Sequence, residues 1–153
     1  MQSPGTGPTI IVADDEAPIR LVVSEKLRSV GFTAHEARDG EEALDLALKH
    51  RPAAIITDLQ MPYMNGLELA TRLRVEPATS SIPVLLLTAR GHIISDDQVS
   101  RTNIKKVMSK PFSVRDLLAF VQTQLLPSTL TPSHPAAAGT VGPSPFIARN
   151  EAA

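Results

Sequence analysis

Five side chains in this 153-residue chain are of the types that handle a phosphoryl group and a divalent cation. Each stands at the end of an apolar run. Asp14 and Asp15 follow residues 9–13, Asp58 follows 53–57, Thr88 follows 83–87, and Lys110 follows 104–109. One such carboxylate means little. Three in one place repel one another and need compensation, which a divalent cation and the Lys110 ammonium can supply. Mg²⁺ suits this set, because it takes oxygen ligands and commonly binds through one or two carboxylates plus a phosphate. Asp58 can then attack phosphorus and form an aspartyl phosphate. The cation and Lys110 neutralise charge on the phosphoryl oxygens, and the Thr88 hydroxyl donates to one of them.

That chemistry requires the ends of four separate runs to meet. Residues 9–126 alternate apolar runs with amphipathic stretches, five strand–helix repeats in all. Strands are expected at 9–13, 33–37, 53–57, 83–87 and 104–109, and helices at 17–30, 40–50, 66–76, 95–102 and 113–126. On the first helix Ile19, Val22, Val23, Leu27 and Val30 share one side, and Gly31 stops it. Strands alternating with helices imply a parallel sheet covered on both faces. The first, third and fourth strands are apolar throughout, as central strands are. The second and fifth carry His35, Glu36, Lys105 and Lys106 and suit the edges. The result is a flavodoxin-like, doubly wound (βα)5 sheet of order 2-1-3-4-5, whose ligand site lies at the carboxyl ends of the strands.

Composition narrows the partners. Net charge is −1, so no basic field attracts nucleic acid, and no basic run flanks an apolar stretch to hold a membrane. There is no Cys. Nothing approaches the roughly 18 apolar residues that span a bilayer. Residues 1–8 have neither the basic start nor the apolar core of a signal peptide, so a cytoplasmic location is expected. Residues 1–8 read as a flexible start. Residues 127–153, with prolines at 127, 132, 135, 143 and 145, read as a disordered tail.

The ordered set Asp14-Asp15-Glu16, Asp58 with Met61-Pro62-x-Met64-Asn65-Gly66, Thr88-Ala89 and Lys110-Pro111-Phe112 resembles the receiver domains of two-component response regulators. The resemblance covers about residues 8–126. It implies that Asp58 is the phosphoacceptor, taking the group from a histidine kinase or a histidine phosphotransfer protein. It implies Mg²⁺ on Asp15, Asp58 and the Gln60 backbone carbonyl, with Asp14 contributing directly or through water. It also implies a cis Lys110–Pro111 peptide, a form tolerated chiefly before proline. Gln60 and Arg90, two residues after Asp58 and Thr88, are expected to flank the phosphoryl group and set its lifetime. The chain reads as a single-domain regulator that signals through protein contacts at the face of the fourth helix, fifth strand and last helix. No helix-turn-helix follows the domain, so DNA is not an expected target.

Each residue also has a plainer role. Asp14-Asp15 can cap the first helix, Asp58 can form a turn, Thr88 can be an ordinary strand residue, and Lys110 a solvated charge. All four plain roles would have to coincide at four corresponding strand ends. Other functions compete as well. An aspartate-nucleophile phosphatase carries a second Asp two residues after its nucleophile, and here Gln60 stands there, unable to transfer protons. A phosphate-relay intermediate and a phosphorylation-independent binding module are the remaining alternatives.

The chain departs from the family in one place. Receiver domains usually carry an aromatic ring or His three residues before the lysine, and here it is Val107, which has no ring to swing. The fourth helix is expected to be short, starting near Ser95 with a Ser95–Gln98 capping box. The loop 89–95 and that helix are the expected carriers of the switch. His35, His50, His92 and His134 lack ligand spacing and read as surface residues. Met61 and Met64 read as packing.

Overall fold

The computed structural model describes residues 7–89 and 92–125. Five parallel strands, β1 (Thr9–Ala13), β2 (Thr33–Ala37), β3 (Ala54–Asp58), β4 (Val84–Thr88) and β5 (Ile104–Ser109), lie in the order β2-β1-β3-β4-β5. The helices between them are α1 (Ala17–Ser29), α2 (Gly40–His50), α3 (Gly66–Val75), α4 (Asp96–Ser100) and α5 (Val114–Phe120), the last continuing into a π-helical turn at Val121–Leu125. The expected flavodoxin-like order is the observed one.

The strand period divides the core in two. Ile10, Val12, Ile56, Leu85 and Leu87 face Val23, Leu27 and Leu117 of α1 and α5. Ile11, Ala13, Ile55, Val84 and Leu86 face Ala43, Ala47, Leu69 and Leu73 of α2 and α3. β3 and β4 are buried at every position. Central parallel strands have helices on both faces, which is why these two read as unbroken apolar runs.

Four helices start on side-chain caps. Asp39 caps α2 by accepting from the Glu42 N–H at 2.8 Å. Asn65 and Glu68 form a reciprocal capping box on α3, and Ser95 and Gln98 do the same on α4. On α5 the Ser113 hydroxyl accepts from the Asp116 N–H at 3.2 Å. Helix α1 does not follow that pattern. Its cap residue is Glu16, with no side-chain cap bond and Pro18 in the first turn. Asp14 therefore does not cap it; Asp14 Oδ1 accepts from the Glu16 N–H at 2.9 Å, beside the site.

The structure shifts several sequence-based boundaries. β3 and β4 run one residue further than their apolar runs, because ladder bonds extend to the polar ends: Leu59 N–H to Leu87 O and Lys110 N–H to Thr88 O, both 2.7 Å. α4 is five residues long and buries no side chain. The last helix widens near its end, where the Thr123 hydroxyl bonds back to Ala119 O at 2.6 Å. Val22 does not join the core; it is 49% exposed. His35 and His50 are more than surface residues, because their rings stack at 4.1 Å between centroids. Burial, then the charge of His50, holds His35 below the usual imidazole range. The flexible start at 1–8 (apart from 7 and 8), the disordered tail at 127–153 and Arg90 lie outside the described residues.

Candidate functional site

Each chemical residue occupies the last rung of a strand or the position just beyond it. Asp58 ends β3 and Thr88 ends β4. Asp14 and Asp15 follow β1 directly, and Lys110 follows β5. The order β2-β1-β3-β4-β5 puts β3 beside both β1 and β4, so these ends converge. One ligand oxygen from each of Asp14, Asp15 and Asp58 lies within 4.8 Å of the others. Asp14 and Asp58 are buried and Asp15 is exposed, which opens the cluster on one side. That opening is a shallow cleft shared by Asp15, Gln60, Met61, Pro62 and Asn65.

Lys110 reaches across from β5. Its Nζ donates to Glu16 Oε1 at 3.1 Å and to Asp14 Oδ2 at 3.3 Å, and pairs with Asp58 Oδ1 at 3.2 Å. The Lys110–Pro111 peptide bond is cis. The ammonium does not compensate the cluster fully. Burial, then repulsion from Asp14, pushes the Asp58 carboxyl up to about 6, against the pull of Lys110. Burial also raises Asp14, opposed by the Glu16 N–H and by Lys110. Lys110 itself is drawn down by burial, yet Asp14 and Asp58 carry it above the usual lysine range. Burial is the first cause for both aspartates, and for Asp58 the neighbouring Asp14 charge adds to it, more than Lys110 offsets. An oxygen-seeking cation such as Mg²⁺ fits this donor set.

A proton and a cation would compete for the same oxygens. The folded value of Asp58, about 6, lies above the ordinary aspartate value of 3.8. Between these limits the folded protein holds a proton that the unfolded chain does not, so stability falls as pH rises through that window. A bound cation reverses the penalty. Mg²⁺ should therefore raise Tm clearly at pH 7.5 and little at pH 5, and its affinity should drop about tenfold per pH unit below about 6. Calorimetric titration across that range checks it; a pH-independent affinity would contradict the crowded-carboxylate picture.

The Thr88 hydroxyl is buried and has no hydrogen-bond partner among the described residues. Buried hydroxyls are rarely left so, and one at a strand end beside a charged cluster offers a donor to an incoming group.

The loop after Asp58 is held tightly. Gly66 N–H donates to Leu59 O at 2.8 Å, and a methyl at Gly66 would strike the Asp58 carbonyl oxygen and approach Leu86 Cδ1 to 2.8 Å. Gly66→Ala should cost about 1–3 kcal/mol of stability, as overpacked sites do. A denaturant midpoint displaced at constant slope would show it. Met64 is buried at 9% exposure and Met61 packs against the same core. Tyr63 has φ 69° and is 82% exposed, and Met64 N–H reaches Pro62 O across it at 2.7 Å. That is a γ-turn of the rarer hand.

The structure brings Asp14, Asp15, Asp58 and Lys110 into one cluster, puts Gln60 in the cleft beside Asp15, and ends the neighbouring strand β4 on Thr88. Val107 stands apart, half-buried on the α4 side against the core that includes Ile94 and Val99. Sequence reasoning gave Glu16 and Arg20 no role. Arg20 donates to Asp14 O at 2.8 Å and pairs with Glu36 at 3.1 Å, which ties the end of β1 to β2. Its position four residues after Glu16, on the inward face of α1, was the available signal. Beside the pocket lies an apolar groove of about 560 Å³ between α1 and the segment after β5, lined by Ile19, Val22, Phe112 and Val114 among others.

Comparison with known proteins agrees with this geometry. The response regulator receiver domain model matches residues 10–122. The phosphate regulon transcriptional regulatory protein PhoB of Pseudomonas aeruginosa is 34% identical over 119 residues, covering 78% of this chain and 52% of that protein. The chain spans about half the length of the curated relatives it matches, 52% and 47% of the first two. Among solved structures, the chemotaxis response regulator CheY4 of Vibrio cholerae superposes with TM-score 0.70 at 32% identity, over 76% of this chain and 98% of that one. The receiver domain of Francisella response regulator 1452 gives TM-score 0.68 at 29% identity, over 76% and 94%. The strand order, the polar strand ends and a family match along most of the chain lead to one conclusion: this chain belongs to the response regulator receiver domain family.

Proposed function

We propose that Asp58 is the phosphoacceptor of a two-component phosphorelay, charged by the phosphohistidine of a histidine kinase or a histidine phosphotransfer protein. The observation that carries this reading is the placement of the Asp58 carboxylate between two further carboxylates and 3.2 Å from Lys110 Nζ. In the step, an Asp58 oxygen forms a bond to phosphorus as the phosphorus–nitrogen bond of the donor breaks, and the imidazole leaves with a proton. Asp14, Asp15, Asp58 and the Gln60 carbonyl would hold Mg²⁺, which supplies positive charge to the phosphoryl oxygens. Lys110 stabilises the charge that develops on a second oxygen, and the unpartnered Thr88 hydroxyl donates to a third. Gln60 stands at the mouth with Asp15, where hydrolytic water enters, and so bears on the lifetime of the acyl phosphate.

The apolar groove at Ile19, Val22, Phe112 and Val114 gives a protein donor a landing surface next to the acceptor. Val22 in its lining is 49% exposed. Output passes through protein contacts at the α4–β5–α5 face rather than through DNA. The support is local: α4 has no buried residue, and Ile93 before it is 86% exposed. Few contacts hold this stretch, so it is cheap to move. Val107 offers no ring to report the change, and the β4–α4 segment takes that part. No helix among the described residues is long and apolar enough to cross a membrane, and a cytoplasmic signalling module, not an enzyme with its own substrate, is the function proposed. Incubation with a small phosphodonor and Mg²⁺, followed by peptide mass spectrometry, tests the assignment of Asp58.

A further inference from the structure

Lys110 Nζ has three carboxylate partners, and the shortest contact is to the residue least involved in the cluster. Glu16 Oε1 lies at 3.1 Å, Asp58 Oδ1 at 3.2 Å and Asp14 Oδ2 at 3.3 Å. The Glu16 side chain is 59% exposed, against 1% for Asp14 and 7% for Asp58. Its backbone, by contrast, is pinned. The Glu16 N–H donates to Asp14 Oδ1 at 2.9 Å, and the Glu16 carbonyl accepts from the Arg20 N–H at 3.0 Å. A fixed root and a solvent-facing carboxylate make a side chain that can take or release Lys110 without disturbing the wall of the site. None of the roles assigned above uses it.

We infer that Glu16 is a positioning and donor-selecting residue: it holds Lys110 at the mouth of the site before phosphorylation, and its charge disfavours strongly anionic small donors. The inference rests on the reading of Asp58 as acceptor. An ammonium has three N–H donors, and three carboxylates stand around this one. A phosphoryl group at Asp58 needs one of them. The Asp14 and Asp58 side chains are 1% and 7% exposed, whereas the 59% exposed Glu16 side chain exchanges Lys110 for solvent readily. Glu16 is therefore the partner that yields. Until it does, its exposed negative charge stands one ammonium away from Asp58, the group an anionic donor must approach. Repulsion scales with the product of the charges and is screened by salt. A donor with two negative charges is hindered more than one with a single net charge.

The test compares the full chain with its Glu16→Gln form at neutral pH and saturating Mg²⁺. The donors are acetyl phosphate, a dianion, and phosphoramidate, which carries less net negative charge. Labelling of Asp58 is followed by quenched intact-mass spectrometry, at low and at molar salt. Glu16→Gln should speed labelling by acetyl phosphate roughly three- to tenfold, by phosphoramidate about twofold or less, and the difference should shrink in molar salt. Glu16→Asp, which keeps the charge, should keep the wild-type donor ratio. A residue with only a structural part would change both rates by one factor, whatever the salt. That outcome, or an unaltered donor ratio with Asp58 still labelled, overturns the inference alone. Absence of label on wild-type Asp58 from both donors overturns the acceptor assignment and the inference with it.

Discussion

In the Asp58→Asn form, incubation with acetyl phosphate and Mg²⁺ leaves the chain unmodified, a loss of at least about a thousandfold in labelling rate, as when a covalent nucleophile is removed. The carboxamide keeps the size of Asp58 and loses its charge, so the fold has no reason to fail. Stability should in fact move the other way. The folded Asp58 value of about 6 lies above 3.8, so the metal-free protein above pH 6 carries a buried charge that the unfolded chain bears more easily. The difference amounts to at most about 3 kcal/mol, at 1.36 kcal/mol per pKa unit. Asp58→Asn removes that charge while Lys110 keeps Asp14 and Glu16. Without metal at pH 7.5 the variant should be more stable than wild type by about 1–3 kcal/mol, and the advantage should shrink toward pH 4. Labelling that persists at the wild-type rate would place the acceptor elsewhere. A variant less stable at every pH would show that the carboxylate is well compensated after all.

Much of this was legible in the sequence, for identifiable reasons. A strand covered on both faces has to be apolar throughout, and so its polar end stands out; that is how Asp58 and Thr88 announce themselves. The ordering of the strands followed from which runs contained charge. Three features were hidden. Val22 sits on the apolar side of α1 in a helical count, yet the neighbouring α5 leaves it 49% exposed, a matter of where two helices stop short of each other. The stacking of His35 on His50 joins the edge strand to the end of α2, and no spacing rule links those positions. Glu16 could be seen beside Asp14 and Asp15, but which carboxylate Lys110 touches depends on the α1 start, where the Glu16 backbone is bonded to Asp14.

Thr88→Val separates acceptance of the phosphoryl group from the response to it. The Thr88 side chain is fully buried at the end of β4, and its hydroxyl has no partner among the described residues. Valine has nearly the same shape and no polar atom. Replacing a buried, unsatisfied hydroxyl by a methyl should therefore stabilise the unphosphorylated protein, by about 1 kcal/mol. Labelling of Asp58 should continue within roughly tenfold of the wild-type rate, because Lys110 and the cation, not Thr88, carry most of the charge stabilisation. What should disappear is the message. On the proposed function, the hydroxyl of the wild type would gain its first hydrogen bond when the phosphoryl group arrives, and that bond would draw the end of β4 toward Asp58. The segment that follows reaches α4, a five-residue helix with no buried side chain, so a small displacement of Thr88 is enough to shift it. Hydrogen exchange across residues 92–104 should change on phosphorylation in wild type and stay unchanged in Thr88→Val. If the valine form is no more stable, the hydroxyl is satisfied in the resting protein and exerts no pull. If it is more stable but its exchange still responds to phosphate, the signal leaves Asp58 by another path, with the Lys110 side of the pocket, next to β5 and Val107, as the remaining route.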